Sequence, residues 1–266
     1  MSNTKRIAVK VGTSTLTHAN GALNLQSMEH LVRVLSDLKN AGHDVILVSS
    51  GAISVGVQKL RLPGRPSELR LKQAAAAIGQ CQLMHLYDKF FSEYNILVGQ
   101  ILLTRDDVEQ DTVKENLLNT FHAMLELGTI PIINENDSVS HEEIECADNI
   151  FGDNDILSAI VATMCKADVL VLLSDIDGLF EEDPHMNSVA QMIQEVRSLD
   201  DQIHKSAMGA GSWRGTGGMI TKLRAAKICM NAGMDMIISN GMRPELLYDI
   251  VADKQVGTRF YGKKEG

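Results

Sequence analysis

The sequence predicts an α/β fold, a three-layer helix–sheet–helix sandwich around a central, mostly parallel sheet. Two patterns carry that expectation. Short runs of β-branched and apolar residues recur along the chain, continuous rather than alternating, as strands read when both faces of their sheet are covered. Between them lie longer stretches with apolar residues at helical spacing, and strand–helix–strand alternation builds a parallel sheet through right-handed crossovers.

The first strand is RIAVKV, residues 6–11. NLQSMEHLVRVLSDLKNAG then sets Met28, Leu31, Val32, Leu35 and Leu38 on one helical face, and Gly42 stands where that helix should end. DVILVSS (44–50) is the second strand, and Ser49, Ser50 and Gly51 open a helix directly after it. A longer helix is expected over 67–92, followed by the strand ILVGQILL (96–103), a helix over 114–127 and the strand TIPIIN (129–134). The second half keeps the rhythm: helix 155–166, strand DVLVLLS (168–174), helix 219–232, strand DMIISN (235–240) and helix 244–252. No repeat, low-complexity tract or Pro/Gly/Ser linker interrupts the order. One domain is therefore expected over residues 1–260, with lobes of about 1–165 and 166–260 and a short tail, 261–266.

Composition narrows the function classes. The chain has 266 residues, 44% hydrophobic and 22% charged, enough to bury a sizeable core. A net charge of −9 argues against nucleic acid or an anionic membrane as the main partner, and 4% aromatics provides few stacking platforms. Cys81, Cys146, Cys165 and Cys229 lie far apart without a C-x-x-C pair, which suits reduced thiols. The histidines show no H-x-x-x-H spacing, so no zinc site is expected. The N-terminal apolar run is too short for a signal core, and a cytoplasmic protein is expected.

Ligands of such sheets bind beyond the carboxyl ends of the strands, and polar residues crowd there in this chain. IPIINENDSV (130–139) begins as a strand and ends in Asn134, Glu135, Asn136, Asp137 and Ser138. FGDND sets Asp153, Asn154 and Asp155 at a helix start, where Asp153 or Asn154 would equally serve as a plain N-cap. VKVGTST places Lys10 in an otherwise apolar strand with Gly12 just beyond. A lysine there is costly unless it meets an anion, so it reaches a phosphate, pairs structurally or snorkels to solvent. SSGAISVG turns the free N–H groups and positive dipole end of a helix to the same edge, or carries an ordinary serine cap. LLSDIDGLFEEDP offers Asp175 and Asp177 for ribose or metal, or only for the turn before Gly178.

GAGSWRGTGGMITKLRAAK has five glycines within ten residues ahead of a helix, with Lys222 one turn inside it. That is a phosphate cradle or a surface connector. Neither G-x-x-x-x-G-K-[ST] nor G-x-G-x-x-G occurs in the chain. Two lysines, two glycine turns and several carboxylates at one sheet edge suit phosphoryl transfer, which depends on positioning and charge neutralisation.

VKVGTS, VSSGAI, AAIGQ, GQILLT, PIINENDSV, GDND, LLSDIDGLF, DP and GTGGMITK follow one another as they do in the amino-acid kinase family. The resemblance runs from about Lys5 to Phe260, and INENDSV and GTGGMITK point within the family to the branch that phosphorylates the γ-carboxylate of glutamate on the way to proline. It implies a sheet of about eight strands, with glutamate held by the N-terminal lobe and ATP by the C-terminal lobe. Ser50, Asp137 and Asn154 would hold glutamate, with Asn134, Gly51 and Asp153 beside them. Lys10 and Lys222 would act on the moving phosphoryl group, and Asp155 would orient the two lysines. Gly12, Ser174, Asp175 and the run Thr216, Gly217, Gly218, Met219, Ile220, Thr221 and Lys222 would contact ATP, with Mg²⁺ held mainly by the phosphates. Feedback inhibition by proline, a glutamyl-phosphate reductase as pathway neighbour and a homo-oligomer are further implications. Many members of that branch continue into a PUA domain, whereas this chain stops at VGTRFYGKKEG, so none is expected.

Other acceptors within the family, N-acetylglutamate or aspartate, are the alternative, and a non-catalytic nucleotide or amino-acid sensor is a further one. Asp137 disfavours the acetylated acceptor, since a carboxylate attracts a free ammonium and not an amide.

Overall fold

The protein is described by a computed structural model covering residues 4–139, 154–182, 187, 189–209 and 218–263. From the N-terminus, β1 (Arg6–Val11) leads through the short α1 (Thr13–Leu16) to α2 (Leu25–Asn40), β2 (Asp44–Val48), α3 (Ala52–Lys59) and α4 (Leu69–Ser92). Next come β3 (Val98–Leu103), α5 (Arg105–Glu109), α6 (Asp111–Glu126) and β4 (Ile130–Glu135). The second half holds α7 (Asn154–Met164), β5 (Val169–Ser174), β6 (Leu179–Phe180), β7 (Met192–Ile193), β8 (Glu195–Val196) and α8 (Asp201–Gly209). It closes with α9 (Met219–Asn231), β9 (Asp235–Asn240), α10 (Leu246–Val251) and β10 (Thr258–Phe260).

Eight of these strands form one sheet in the order β3-β4-β2-β1-β5-β9-β10-β8. Every pairing from β3 across to β9 is parallel. β10 runs antiparallel to β9, and β8 runs parallel to β10. The fold is thus the three-layer, mostly parallel sandwich that the alternating pattern predicts. The six strands read from the sequence all form. β6, β7, β8 and β10 are two or three residues long, too short to display a period.

Strand parity decides which helices each side chain meets. Ile7, Val9 and Val11 pack into one apolar layer with Met28, Leu31 and Leu35 of α2, Leu83 and Tyr87 of α4, and Leu247 of α10. Ala8, of opposite parity, packs into the other with Leu157 and Val161 of α7 and Leu223 and Ala226 of α9. β2 and β4 divide likewise: Leu47 and Ile132 face the α4 side, Val48 and Ile133 the α7 side. Truncating a buried leucine such as Leu35 to alanine in such a layer costs about 2–5 kcal/mol. The polar residues that end the strands inherit these directions.

α3 and α4 meet backbone to backbone. A Cβ at Gly56 would stand 1.8 Å from the carbonyl oxygen of Ala75, and one at Gly79 would stand 1.8 Å from that of Ala52. Glycine alone fits this crossing. Because α3 starts just after β2, the contact ties the end of β2 to α4. Among the described residues no helix is long and apolar enough to cross a membrane.

Candidate active site

β2 lies on one side of β1 and β5 on the other, so the chain order reverses at β1, and ligands of doubly wound sheets bind at such a point. Lys10, paired in register with Val48 and Leu172 near the end of β1, is 8% exposed. It shares the parity of Ala8 and therefore points to the α7 side. There its Nζ lies 2.6 Å from Oδ1 of Asp155, and Lys222 in the first turn of α9 brings its Nζ to 3.0 Å from Oδ2. Thr221 donates its hydroxyl to the same Oδ2 at 3.3 Å and to the Gly218 carbonyl at 2.8 Å.

Asp155 is fully buried. Burial pushes its carboxyl up, but the Lys10 and Lys222 ammonium groups outweigh that and hold it below the usual carboxylate range. One carboxylate between two ammonium groups leaves the triad itself with an excess positive charge. That suits an anion.

A second cluster adjoins the first through the Asn154–Asp155 peptide. The Asn154 side-chain amide donates to the Ser50 hydroxyl at 2.8 Å, to Oδ1 of Asn134 at 3.0 Å and to the Ser49 carbonyl at 3.1 Å. Its own Oδ1 is buried without a hydrogen-bond partner among the described residues. Asn154 therefore does not cap α7 through its side chain. Nor does serine cap α3: the N-cap is Gly51, at φ 96° with no side-chain cap bond, and glycine enters that region at no steric cost. The Ser50 hydroxyl oxygen accepts from the Asn154 amide instead.

Asp137 sits two residues beyond β4 in a turn closed by three bonds. The Asn136 N–H donates to the Leu103 carbonyl at 2.8 Å, and the Val139 N–H to the Asn136 carbonyl at 3.1 Å. The Ser138 hydroxyl donates to Oδ1 of Asn136 at 2.6 Å. Burial pushes the Asp137 carboxyl up to about 6, partly opposed by the charge of Arg65 from the α3–α4 loop. Arg65 had no signal in the sequence.

Gly12 has φ −80°, and a Cβ there would stand 3.7 Å from the Leu173 carbonyl and 3.8 Å from Nζ of Lys10. These are ordinary van der Waals distances, so no contact among the described residues demands glycine at this position. Ser174 is buried at the end of β5 and donates its hydroxyl to the exposed Asp175 at 3.0 Å. Asp177 accepts instead from Asn240, at 2.8 Å. Gly218 is the N-cap of α9; Met219 turns into the core and Ile220 is half exposed. Asp153, Thr216 and Gly217 lie outside the described residues.

The candidate residues thus fall into two bonded groups, Lys10–Asp155–Lys222–Thr221 and Ser50–Asn134–Asn154. Asp137, Ser174 and Asp175 stand at neighbouring strand ends, without a hydrogen bond to either group among the described residues. Tyr87 was not anticipated as a neighbour of the site, and Ser49 and Gln80, which stand in the quoted VSSGAI and AAIGQ stretches, were assigned no role in it. The available signal was Gln80 itself, a polar residue within the apolar stripe Ala76, Leu83 and Tyr87 of α4.

The profile of the amino acid kinase family matches residues 5–240. Glutamate 5-kinase of Clostridium perfringens is 55% identical over 264 residues, covering 99% of this chain and 98% of that protein. Glutamate 5-kinase of Listeria innocua is 52% identical over 265 residues, covering 100% and 96%. Among solved structures, carbamate kinase from Giardia lamblia bound to AMP-PNP superposes with a TM-score of 0.69 at 15% identity, covering 99% of this chain and 100% of that one. The product complex of T. acidophilum isopentenyl phosphate kinase gives a TM-score of 0.59 at 19% identity, covering 96% and 99%. These two likenesses show the fold alone.

Proposed function

The chain belongs to the amino acid kinase family, and on that premise we propose that it transfers the γ-phosphoryl group of ATP to the γ-carboxylate of L-glutamate, giving glutamyl 5-phosphate and ADP. The observation that carries this reading is the convergence of Lys10 and Lys222 on the buried Asp155, one peptide bond from the Asn154 cluster. The full-length identity with glutamate 5-kinases supports glutamate as the acceptor.

The γ-carboxylate is already ionised at pH 7, so its attack on the γ-phosphorus needs no general base. The difficulty is repulsion between two anions and the charge that grows on the leaving oxygen. Lys10 and Lys222, with backbone N–H groups near Gly12 and Gly51, would offset that charge. Asp155 would direct both lysines through its two carboxylate oxygens. Asp137, with the Asn154 carbonyl, would receive the substrate ammonium, and Ser50, Gly51, Asn134 and Asp153 would line the same pocket in the N-terminal lobe. Ser174, Asp175 and residues 216–222 would hold ATP in the C-terminal lobe.

Mg²⁺ would add charge neutralisation at the nucleotide phosphates. The nucleotide phosphates would be its main ligands, as the resemblance implies. An acyl phosphate is labile, which fits a reductase that consumes it promptly, and feedback inhibition by proline would belong to the same reading.

The test is hydroxylamine trapping of the acyl phosphate with glutamate, N-acetylglutamate and aspartate offered in parallel. Glutamate should give the highest kcat/KM. A higher value for either competitor would overturn the assignment.

A further inference from the structure

The amide cluster behind the proposed glutamate pocket has only one consistent direction. The Ser49 carbonyl can only accept, so the Asn154 atom facing it at 3.1 Å must be the NH₂ group. That same NH₂ faces Asn134 at 3.0 Å, so Asn134 must present its oxygen there. Asn134 is then left with its own NH₂ pointing the other way, where Oε1 of Gln80 accepts from it at 2.9 Å. Gln80 is 8% exposed, and Asn134 is 1% exposed. The chain of donors thus ends on α4, whose layer lies across the sheet from α7.

Strand parity explains why α4 receives it. Asn134 follows Ile132 on the α4 side of β4, and Gln80 lies in the helical stripe with Ala76, Leu83 and Tyr87 that covers that side. The same stripe reaches the end of β2, where the Tyr87 hydroxyl meets that of Ser49 at 2.9 Å. Backbone contact at Gly56 and Gly79 leaves α4 no freedom to drift from α3. The outcome of all this is one orphan: the buried carbonyl of Asn154, an acceptor without a donor among the described residues.

We propose that Gln80 is a positioning residue for substrate recognition. By accepting from Asn134 it holds the Asn134 amide in the one direction compatible with the Asn154–Ser49 bond, and so keeps the Asn154 side-chain carbonyl aimed at the ammonium group of the amino-acid acceptor. The inference rests on glutamate being that acceptor. An apolar residue at position 80 leaves the buried Asn134 amide without a partner, and leaving such a group unpaired is costly enough to favour its rotation. The contact to the ammonium persists from ground state to transition state, so KM bears the loss.

Gln80→Met keeps the length of the side chain and removes the acceptor, whereas Gln80→Glu keeps an acceptor at the same reach. Both are to be compared with the wild type in hydroxylamine trapping, with glutamate and ATP varied separately and thermal melts recorded. Gln80→Met should raise KM for glutamate by roughly tenfold or more, with KM for ATP within about twofold. Gln80→Glu should recover most of that loss. In an Asn134→Ala background, Gln80→Met should add little further, because both act through one chain of bonds.

An unchanged KM for glutamate in Gln80→Met would overturn the proposal, as would equal rises in both KM values. So would a Gln80→Glu enzyme as impaired as Gln80→Met, or failure of both variants to fold, either of which would make Gln80 a packing residue only. If wild-type enzyme formed no glutamyl hydroxamate, the fault would lie in the reading of the acceptor and not in Gln80.

Discussion

Two carboxylates of the candidate site, both buried beside cations, are shifted in opposite directions, and their behaviour should differ accordingly. Asp137 is pushed up to about 6 by burial, and only its ionised form attracts an ammonium group. We therefore expect kcat/KM for glutamate to fall as pH drops below about 6, and Asp137→Asn to remove that inflection while lowering activity throughout. Arg65 opposes the shift, so Arg65→Ala should move the inflection to higher pH; a pH–rate profile of the three proteins decides this. Asp155 is held down by two lysines, so its contribution to stability is present above the unfolded carboxylate value of about 3.9 and is lost as pH falls through the lower folded value. Asp155→Asn removes the negative charge facing two ammonium groups that are almost fully buried, and a loss on the order of 3 kcal/mol should accompany the loss of turnover. From the sequence, with Asp155 only orienting the lysines, a nearly unchanged stability would be expected; its complete burial reverses that. Adding Lys222→Ala should cost less than the sum of the single changes, and additive losses in that cycle would rule out the coupling.

At the scale of elements, the α3–α4 crossing is the most constrained contact near the site. Gly79→Ala would set a methyl group 1.8 Å from the Ala52 carbonyl oxygen, and the helices must part. Overpacking of this kind costs about 1–3 kcal/mol or more. The displacement passes to Ser50 and Gly51, which immediately precede α3, and to Gln80, the next residue of α4. Gly79→Ala should therefore lower Tm and raise KM for glutamate together, with KM for ATP less affected. A variant with a wild-type melting curve and unchanged KM would show that the two helices separate without consequence for β2. α9 makes the complementary case: Lys222 stands in its first turn, directly after the N-cap Gly218, so the position of the helix start sets the position of the ammonium group.

For the whole molecule, the sheet joins groups that are distant in sequence. Lys10 belongs to the first strand and Lys222 to the ninth helix, and β1, β5 and β9, hydrogen-bonded side by side, hold the two on one edge. Loss of either preorganised charge should lower kcat by roughly 10²-fold. Lys10→Ala or Lys222→Ala with full turnover would exclude that lysine from the chemistry. The order of strands and helices, the parallel sheet and the identity of the polar strand ends were legible in the sequence, because burial on both faces writes itself as continuous β-branched runs and helical spacing as a repeat. Lys10 was legible too, as a charge where the pattern demands an apolar residue. The meeting of Lys10, Asp155 and Lys222 also needs strand parity and the packing of α7 against α9, and no local pattern records which helix covers which face. Gln80 and Arg65 were hidden for the same reason: a glutamine in an alanine-rich helix and an arginine in a loop acquire meaning only from what the folded chain sets opposite them. Local hydrophobic periodicity therefore determined the fold, and long-range packing alone decided which polar groups share a hydrogen bond.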